Sequence, residues 1–394
     1  MNQFYRQYFD ACVSREGTHA VKHEYLERVF GRKDVIPAWV ADMDFRTAPQ
    51  IQEALEARAR HGIYGYTDNS GEEKQAEIQW LERRHHLSVQ PDWILYSPGV
   101  VDSLFFCVRA LTCSGDRVLI QTPVYGPFYK AAEAFGRELV LNPLRETDEG
   151  WRMDFEDLEG KFAQGIAMMI LCSPHNPVGR VWERSELEQV LRLADRYGVI
   201  VVSDEIHADF VYAGHKQTRI LALPHSDKCV LLTSASKSFN LAGLRQSSCI
   251  IPDQEMRERV IEELKNAHVM APNIFGSIAQ TTAYTCGDEW MDAVVEYIRE
   301  NADYVEDFIR RYIPEISLHP LEGTYLLWMD FRKTGMSHET LKRLLIHDAG
   351  VGLNDGLEYG EEGNGHFRMN LAMPRRIVEQ AMENIHQAMR GHKQ

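Results

Sequence analysis

The middle of the chain alternates between two hydrophobic patterns. Short runs of consecutive apolar residues, WILYS (93–97), RVLIQT (117–122), ELVLN (138–142), IAMMILCS (166–173), VIVVSD (199–204), CVLLTS (229–234) and SSCII (247–251), punctuate longer amphipathic stretches. The runs are too short and too rich in β-branched residues for helices, so each predicts a strand. Because they are apolar at successive rather than alternate positions, both faces are expected to be buried, as in a mostly parallel sheet covered by helices. Such sheets place ligands at the carboxyl ends of their strands.

The intervening stretches predict helices. Thr47 and Pro49 open one that stops at Gly62, with Thr47 as its cap; Ser70 and Glu73 form a capping box for another that runs through His86. The segment SPGVVDSLFFCVRALTCSG leads from a turn into a helix closing on Gly115. Further helices are expected from about Tyr125 to Gly136, from a cap at Asp154, and over SELEQVLRLADRYG (185–198). Beyond Asp253 the pattern changes to long helices, one near Asp288–Tyr312 able to link two bodies, with YLLWMDF (325–331) and HFRMNLA (366–372) as strands and a polar surface helix from about Pro374. This predicts an α/β protein with a large domain over 47–286 and a smaller, discontinuous α+β domain from 1–46 and 287–394.

Length and charge narrow the possibilities. At 394 residues the chain exceeds one ordinary core. Its net charge of −15 disfavours nucleic acid or an anionic membrane as partner, and no apolar run is long enough to cross a bilayer. The N-terminus has no secretion-signal pattern, and seven scattered cysteines without a C-x-x-C pair suggest a reducing cytoplasm, no disulfide framework and no metal cluster. A small-molecule substrate is the expected partner.

The stretch that organises the rest is TSASKSFNLAGLR (233–245), which presents Lys237 just beyond a buried strand. A lysine there could be a solvated surface charge. Ser234, Ser236 and Arg245 beside it, however, are the equipment for holding a phosphate next to a reactive amine. The stretch resembles the cofactor-lysine segment, S-x-S-K-x-x-x-x-x-G-x-R, of pyridoxal-phosphate (PLP) enzymes of the aspartate-aminotransferase fold, fold type I.

The other strand ends extend the resemblance. SPGVVDS (97–103) leads into a helix N-terminus where the amides of Val100 and Val101 suit a phosphate. Tyr125 matches the family's ring-stacking aromatic, although core packing would also account for it. N-P-V-G at 176–179 resembles the segment whose asparagine, here Asn176, bonds the cofactor's phenolic oxygen; a plain turn is the alternative. Asp204, after VIVVS, either caps the next turn or, as the resemblance implies, pairs with the protonated pyridine nitrogen. His207 stands where many relatives carry tyrosine near the phenolic oxygen, and could equally be an ordinary hydrogen-bonded residue. Arg368, inside an apolar strand, needs a partner, either a structural salt bridge or a substrate α-carboxylate, the role the resemblance assigns. PAWVADMDF (37–45), with Trp39, Ala41, Asp42 and Asp44, resembles the family's substrate-pocket segment. Tyr64 and Tyr66 resemble the loop that in this fold enters the neighbouring subunit's site, where Tyr64 would touch the phosphate of a homodimer with shared sites; in a monomer they would be a buried aromatic cluster. GVGLNDG (350–356) is discounted as a dinucleotide loop, since its spacing is wrong and it lies outside a βαβ series.

The D-E-I-H-A-D-F and W-V-A-D-M-D-F wordings resemble most closely the MalY/PatB type of cystathionine β-lyase. That resemblance implies β-elimination from L-cystathionine, cysteine or related cysteine S-conjugates, giving a thiol, pyruvate and ammonia. Lys237, Asp204 and Tyr125 would be catalytic, and Arg368, Asn176, Trp39, Ala41 and Asp42 would meet the substrate. A class I/II aminotransferase, or a regulatory PLP-binding protein with little turnover, carries nearly the same residues.

Overall fold

The fold, taken from a computed structural model, is described for residues 1–68 and 71–392. Its centre is a seven-stranded sheet of β1 (Ile94–Ser97), β2 (Arg117–Thr122), β3 (Glu138–Pro143), β4 (Ile166–Cys172), β5 (Ile200–Asp204), β6 (Cys229–Thr233) and β7 (Ser247–Ile250). The order is β1-β7-β6-β5-β4-β2-β3. All pairs are parallel except those of β7, which runs antiparallel to both β1 and β6.

The continuous apolar runs are explained by burial on two faces. Met168 and Ile170 of β4 join Val118, Ile120, Val202 and Val230 under helices Val100–Leu111 and Gln254–Asn266. Met169 and Leu171 face the other way, with Leu119, Val201 and Leu231, onto helices Phe155–Phe162 and Arg184–Tyr197. Neighbouring residues of one strand thus belong to two different cores, so no alternation with polar residues survives.

A second sheet follows later in the chain: β8 (Ser317–Leu318), β9 (Leu326–Asp330), β10 (Asn354–Asp355) and β11 (His366–Asn370), antiparallel, in the order β8-β9-β11-β10. Helices Asp288–Tyr312 and Arg375–His392 share one apolar cluster with it and with Tyr5 and Phe9 of the N-terminal helix Gln3–Asp10. The C-terminal helix is therefore more than a surface element: Val378, Ala381, Met382, Ile385 and Met389 bury one face of it.

One helix start differs from expectation. Helix Pro49–His61 has Ala48 at its cap position and no side-chain cap, while the Thr47 hydroxyl is buried without a partner and the Thr47 carbonyl accepts from the Tyr8 hydroxyl. The expected capping residue Ser70 lies outside the described residues; the helix itself runs Gly71–His85. Asp154 does cap its helix, accepting from the Asp157 amide at 3.1 Å. Two short pairings carried too little pattern to be expected: the hairpin Arg145–Thr147 with Gly150–Arg152, and Ile36–Pro37 parallel to Val351–Gly352.

Gly287 joins helix Ile274–Cys286 to the long helix Asp288–Tyr312. A Cβ there would lie 2.3 Å from Phe239, whose ring stacks on Trp290, and 2.4 Å from the Ala283 carbonyl. Gly287→Ala should therefore destabilise the protein by about 1–3 kcal/mol. A thermal melt would read this as a drop of several degrees; a wild-type melt would show that the junction repacks freely.

Candidate active site

The carboxyl ends of β1, β4, β5 and β6 surround a cavity of about 320 Å³, lined among others by Ala41, Val100, Val101, Tyr125, Asn176, Asp204, His207, Ser236, Lys237 and Arg245. Most of these residues arrive where a buried strand stops. Lys237 belongs to the short helix Ala235–Ser238 just after β6, and its half-buried side chain donates from the amine to the Ala41 carbonyl at 2.6 Å. The Tyr325 hydroxyl donates to the same oxygen at 2.8 Å. Burial lowers the Lys237 pKa to about 8, and the Arg368 charge pushes the same way against Asp42 and Asp204.

Asp204, the last residue of β5, shows the opposite shift. Burial raises its pKa to about 7, opposed by a hydrogen bond from the Ile206 amide at 3.1 Å and by the Lys237 charge. A carboxyl so placed acquires its charge readily only when a cation comes to face it.

Asn176 and Arg368 meet between the two sheets. An Arg368 terminal nitrogen donates to Asn176 Oδ1 at 3.0 Å, and the other donates to the Trp39 carbonyl at 2.8 Å and to Asn354 Oδ1 at 2.5 Å. Tyr359 lies under the guanidinium at 5.1 Å. The Arg368 Nε is buried without a partner, and among the described residues no carboxylate pairs with this side chain. The structural salt bridge is thus absent, and a desolvated cation is left with neutral acceptors only. Asn354 comes from GVGLNDG, the stretch discounted above, which serves the site as a hydrogen-bonding edge strand.

At the opposite end Gly99 precedes helix Val100–Leu111, whose first residues, Val100 and Val101, line the cavity edge. Arg245 reaches the same place from a left-handed backbone conformation, φ 49°, and pairs with Asp102 at 2.9 Å. Ser236 lines the cavity, but Ser234 does not: its hydroxyl donates to the Gln246 carbonyl at 2.6 Å and accepts the Ser236 amide at 3.0 Å. Ser234 caps the lysine's helix.

The segment Pro37–Phe45 contributes differently from expectation. The Trp39 indole donates to the Lys22 carbonyl at 3.0 Å and packs against Phe30, turned away from the cavity. The Asp42 carboxylate is held by Arg15 at 2.7 Å. Trp39 and Ala41 meet the site through their carbonyls, while the Lys22 carbonyl claims the Trp39 indole and the Arg15 guanidinium claims the Asp42 carboxylate.

His207 is fully buried beside the cavity, its Nδ1 without a partner and its ring edge-on to Tyr325 at 5.5 Å. Burial, with the Lys237 and Arg368 charges, holds its pKa well below the usual histidine value. The phenol of Tyr125 is shifted up by burial. Tyr64 stands outside the cavity of its own chain: it is exposed, its hydroxyl donates to the Ala59 carbonyl at 2.7 Å, and its ring lies near Phe275. Tyr66 is fully exposed.

Tyr325, Cys172 and Asn354 were not anticipated. Tyr325 and Cys172 read as core members of apolar strands, and nothing in their spacing marks a polar role. Elsewhere Glu146, Asp330 and His366 converge in a manner that could suit a metal ion, but Arg332 already bridges both carboxylates, at 2.5 Å and 2.9 Å.

The donor set fits pyridoxal phosphate. An amine, a buried carboxyl lacking a cation of its own, and a helix N-terminus with a guanidinium beside it match an aldehyde, a ring nitrogen and a phosphate in turn.

The chain belongs to the aminotransferase class I and II family, whose sequence profile matches residues 35–385. Among individual relatives, cystathionine beta-lyase PatB of Bacillus subtilis is 39% identical over 384 residues, covering 97% of this chain and 99% of its own. Protein MalY of Escherichia coli is 34% identical, with 97% and 99% covered. The crystal structure of cystalysin from Treponema denticola, which contains a pyridoxal 5'-phosphate cofactor, superimposes with a TM-score of 0.93 at 33% identity, covering 98% of this chain and 99% of that one.

The Asp204 shift has a testable sign. Its folded value, about 7, lies above the ordinary value of roughly 3.9, so the folded protein keeps the proton longer than the unfolded chain. The associated stability is present below about pH 4 and is lost as pH rises toward 7, at up to about 1.4 kcal/mol per pH unit. In cofactor-free protein, the stability of wild type minus that of Asp204→Asn should fall across this window by denaturant titration. A flat difference would show that Asp204 titrates normally.

Proposed function

We propose that this protein is a pyridoxal-phosphate-dependent C–S β-lyase acting on L-cystathionine or a related cysteine thioether. The observation that carries the reading is Arg368, a buried guanidinium without a counter-ion, in the same site as the Lys237 amine. An α-carboxylate completes the arginine and brings Cα toward the lysine. Elimination is favoured over transamination by the likeness to relatives named as cystathionine β-lyases. The described cavity wall also holds no second arginine for a distal carboxylate, Arg245 being engaged at the phosphate end.

Bound pyridoxal phosphate supplies the electron sink that Cα–H cleavage requires. The amides of Val100 and Val101, Ser236 and Arg245 hold its phosphate, Tyr125 covers its ring, and Asn176 and His207 meet its phenolic side. Asp204 keeps a proton on the ring nitrogen, at a position where burial alone would make the carboxyl neutral. Lys237 would hold the cofactor's aldehyde carbon, and a substrate amine binding there would free it. Its amine, released there as the free base and with its pKa lowered to about 8 by burial, removes the Cα proton. The Cβ–S bond breaks with its electron pair leaving on sulfur, and the proton on Lys237 is available to the departing thiolate. Hydrolysis of the remaining aminoacrylate yields pyruvate and ammonia.

The same reading includes a cytoplasmic location, supported by seven free cysteines, three of them exposed. It takes 47–286 as the cofactor-binding domain and 1–46 with 287–394 as the small domain, supported by the seven-stranded sheet falling wholly in the first and the four-stranded sheet in the second. It also makes the working unit a homodimer in which Tyr64 reaches the partner's phosphate. The exposed Ile63, Tyr64, Tyr66 and Met270 support that surface.

With no keto acid present, pyruvate, thiol and ammonia should appear in equal and sustained amounts from L-cystathionine, and Lys237→Ala should abolish their release. A single turnover that stalls until a keto acid is added would make the protein an aminotransferase. Mixing Lys237→Ala chains with Tyr64→Phe chains should regenerate activity above the sum of the two parents; no gain would place each site within one chain.

A further inference from the structure

The helix that presents Lys237 has only four residues, Ala235–Ser238, too few to hold its own position. One end is fixed by Ser234. The other is fixed by a buried carboxylate: the Ser238 hydroxyl donates to one oxygen of Asp209, and the Asp209 Oδ1 accepts from His85 Nε2 at 2.8 Å. His85 and Asp209 side chains are 6% and 8% exposed, so both have been taken out of water.

Three parts of the fold meet at this carboxylate. Ser238 follows the lysine. Asp209 lies in the turn that follows Asp204, the end of β5, and carries His207, a turn closed by bonds from the Ala208 amide to the Glu205 carbonyl at 3.0 Å and from the Phe210 amide to the His207 carbonyl at 2.9 Å. His85 is the last residue of helix Gly71–His85. Burial lowers the His85 pKa to about 4, with the Arg219 charge acting the same way, so the imidazole is neutral near pH 7 and its Nε2 carries the donated proton. Burial pushes the Asp209 carboxyl up, but the bonds from His85 and Ser238 and the Arg219 charge outweigh it and keep the group ionised. A buried charge is costly to desolvate, and this one faces no substrate.

We propose that His85, Asp209 and Ser238 form a positioning relay that sets the Lys237 amine against Asp204, rather than a purely structural tie. This rests on the reading that Lys237 carries the cofactor. Both oxygens of Asp209 are engaged by neutral donors, so the carboxylate fixes the distance between the lysine's helix and the turn bearing the ring's counter-ion. Loosening it lets the amine drift from its line of approach to Cα, a displacement of the kind that costs on the order of 100-fold in rate.

The test compares Ser238→Ala, Asp209→Asn, His85→Leu and His85→Gln as holoenzymes, reading kcat and KM together with the pH midpoint of the bound cofactor's visible absorption. The first three should lower kcat by roughly 10–100-fold with KM nearly unchanged, and should move the midpoint by about half a pH unit or more. His85→Gln, which keeps an N–H donor, should restore most of both. Wild-type kcat and midpoint in Ser238→Ala would overturn the proposal, as would a His85→Gln variant as impaired as His85→Leu. If Asp209→Asn does not fold, the Ser238 and His85 variants still decide. Failure of the underlying lysine reading looks different: the Lys237→Ala holoenzyme would then keep the visible absorption of wild type.

Discussion

Two cations of this site have lost water and found backbone oxygens of one short segment instead. Lys237 donates to the carbonyl of Ala41, and Arg368 to that of Trp39. Between them Asn370 donates to the carbonyls of Val40 and Asp42, at 2.7 Å and 2.6 Å. The segment forms no regular ladder across this stretch, which leaves its carbonyls free to be read by side chains. What keeps it there is a second set of charges on its outer side: fully buried Lys22 on Asp44 at 2.7 Å, and Arg15 on both Asp42 and Asp44. The N-terminal region thus supplies the seat on which the large sheet's lysine and the small sheet's arginine are both registered.

The electrostatics follow from that seat. Amides and carbonyls stabilise a buried charge only partly, so burial moves Lys237 down and Asp204 up, toward the same narrow range near neutrality. Groups shifted toward each other in this way can exchange protons with small changes in their surroundings. Arg368 cannot neutralise itself, and its Nε is left without a partner.

The sheet was legible because two-sided burial removes polar residues from whole strands, a pattern that survives without any alignment. Lys237, Asp204, Asn176 and Arg368 were legible for a related reason, since a polar or charged residue stands out where an apolar run ends or is interrupted. Trp39 and Asp42 were misjudged in their side chains because their partners, Lys22 and Arg15, belong to a region with little periodicity. Tyr325 was invisible because its apolar ring satisfies the strand pattern while its hydroxyl does the work. Asn354 was hidden in a glycine-rich stretch whose spacing fits no known phosphate loop, and Ser234 shows that a hydroxyl beside a reactive lysine can be consumed by a helix cap.

The reversed strand β7 has a mechanical consequence. It returns from β6 beside the same sheet, so that Lys237 and Arg245 both lie on the single excursion between two hydrogen-bonded neighbours. The amine of Lys237 and the guanidinium of Arg245, which line the same cavity, are thereby built on one bracket. Arg368 stands on the other sheet, tied across by Asn176. Any hinge between the sheets would move Arg368 relative to this bracket while leaving the spacing of Lys237 and Arg245 untouched, so one end of the site can be adjusted by leverage without disturbing the other.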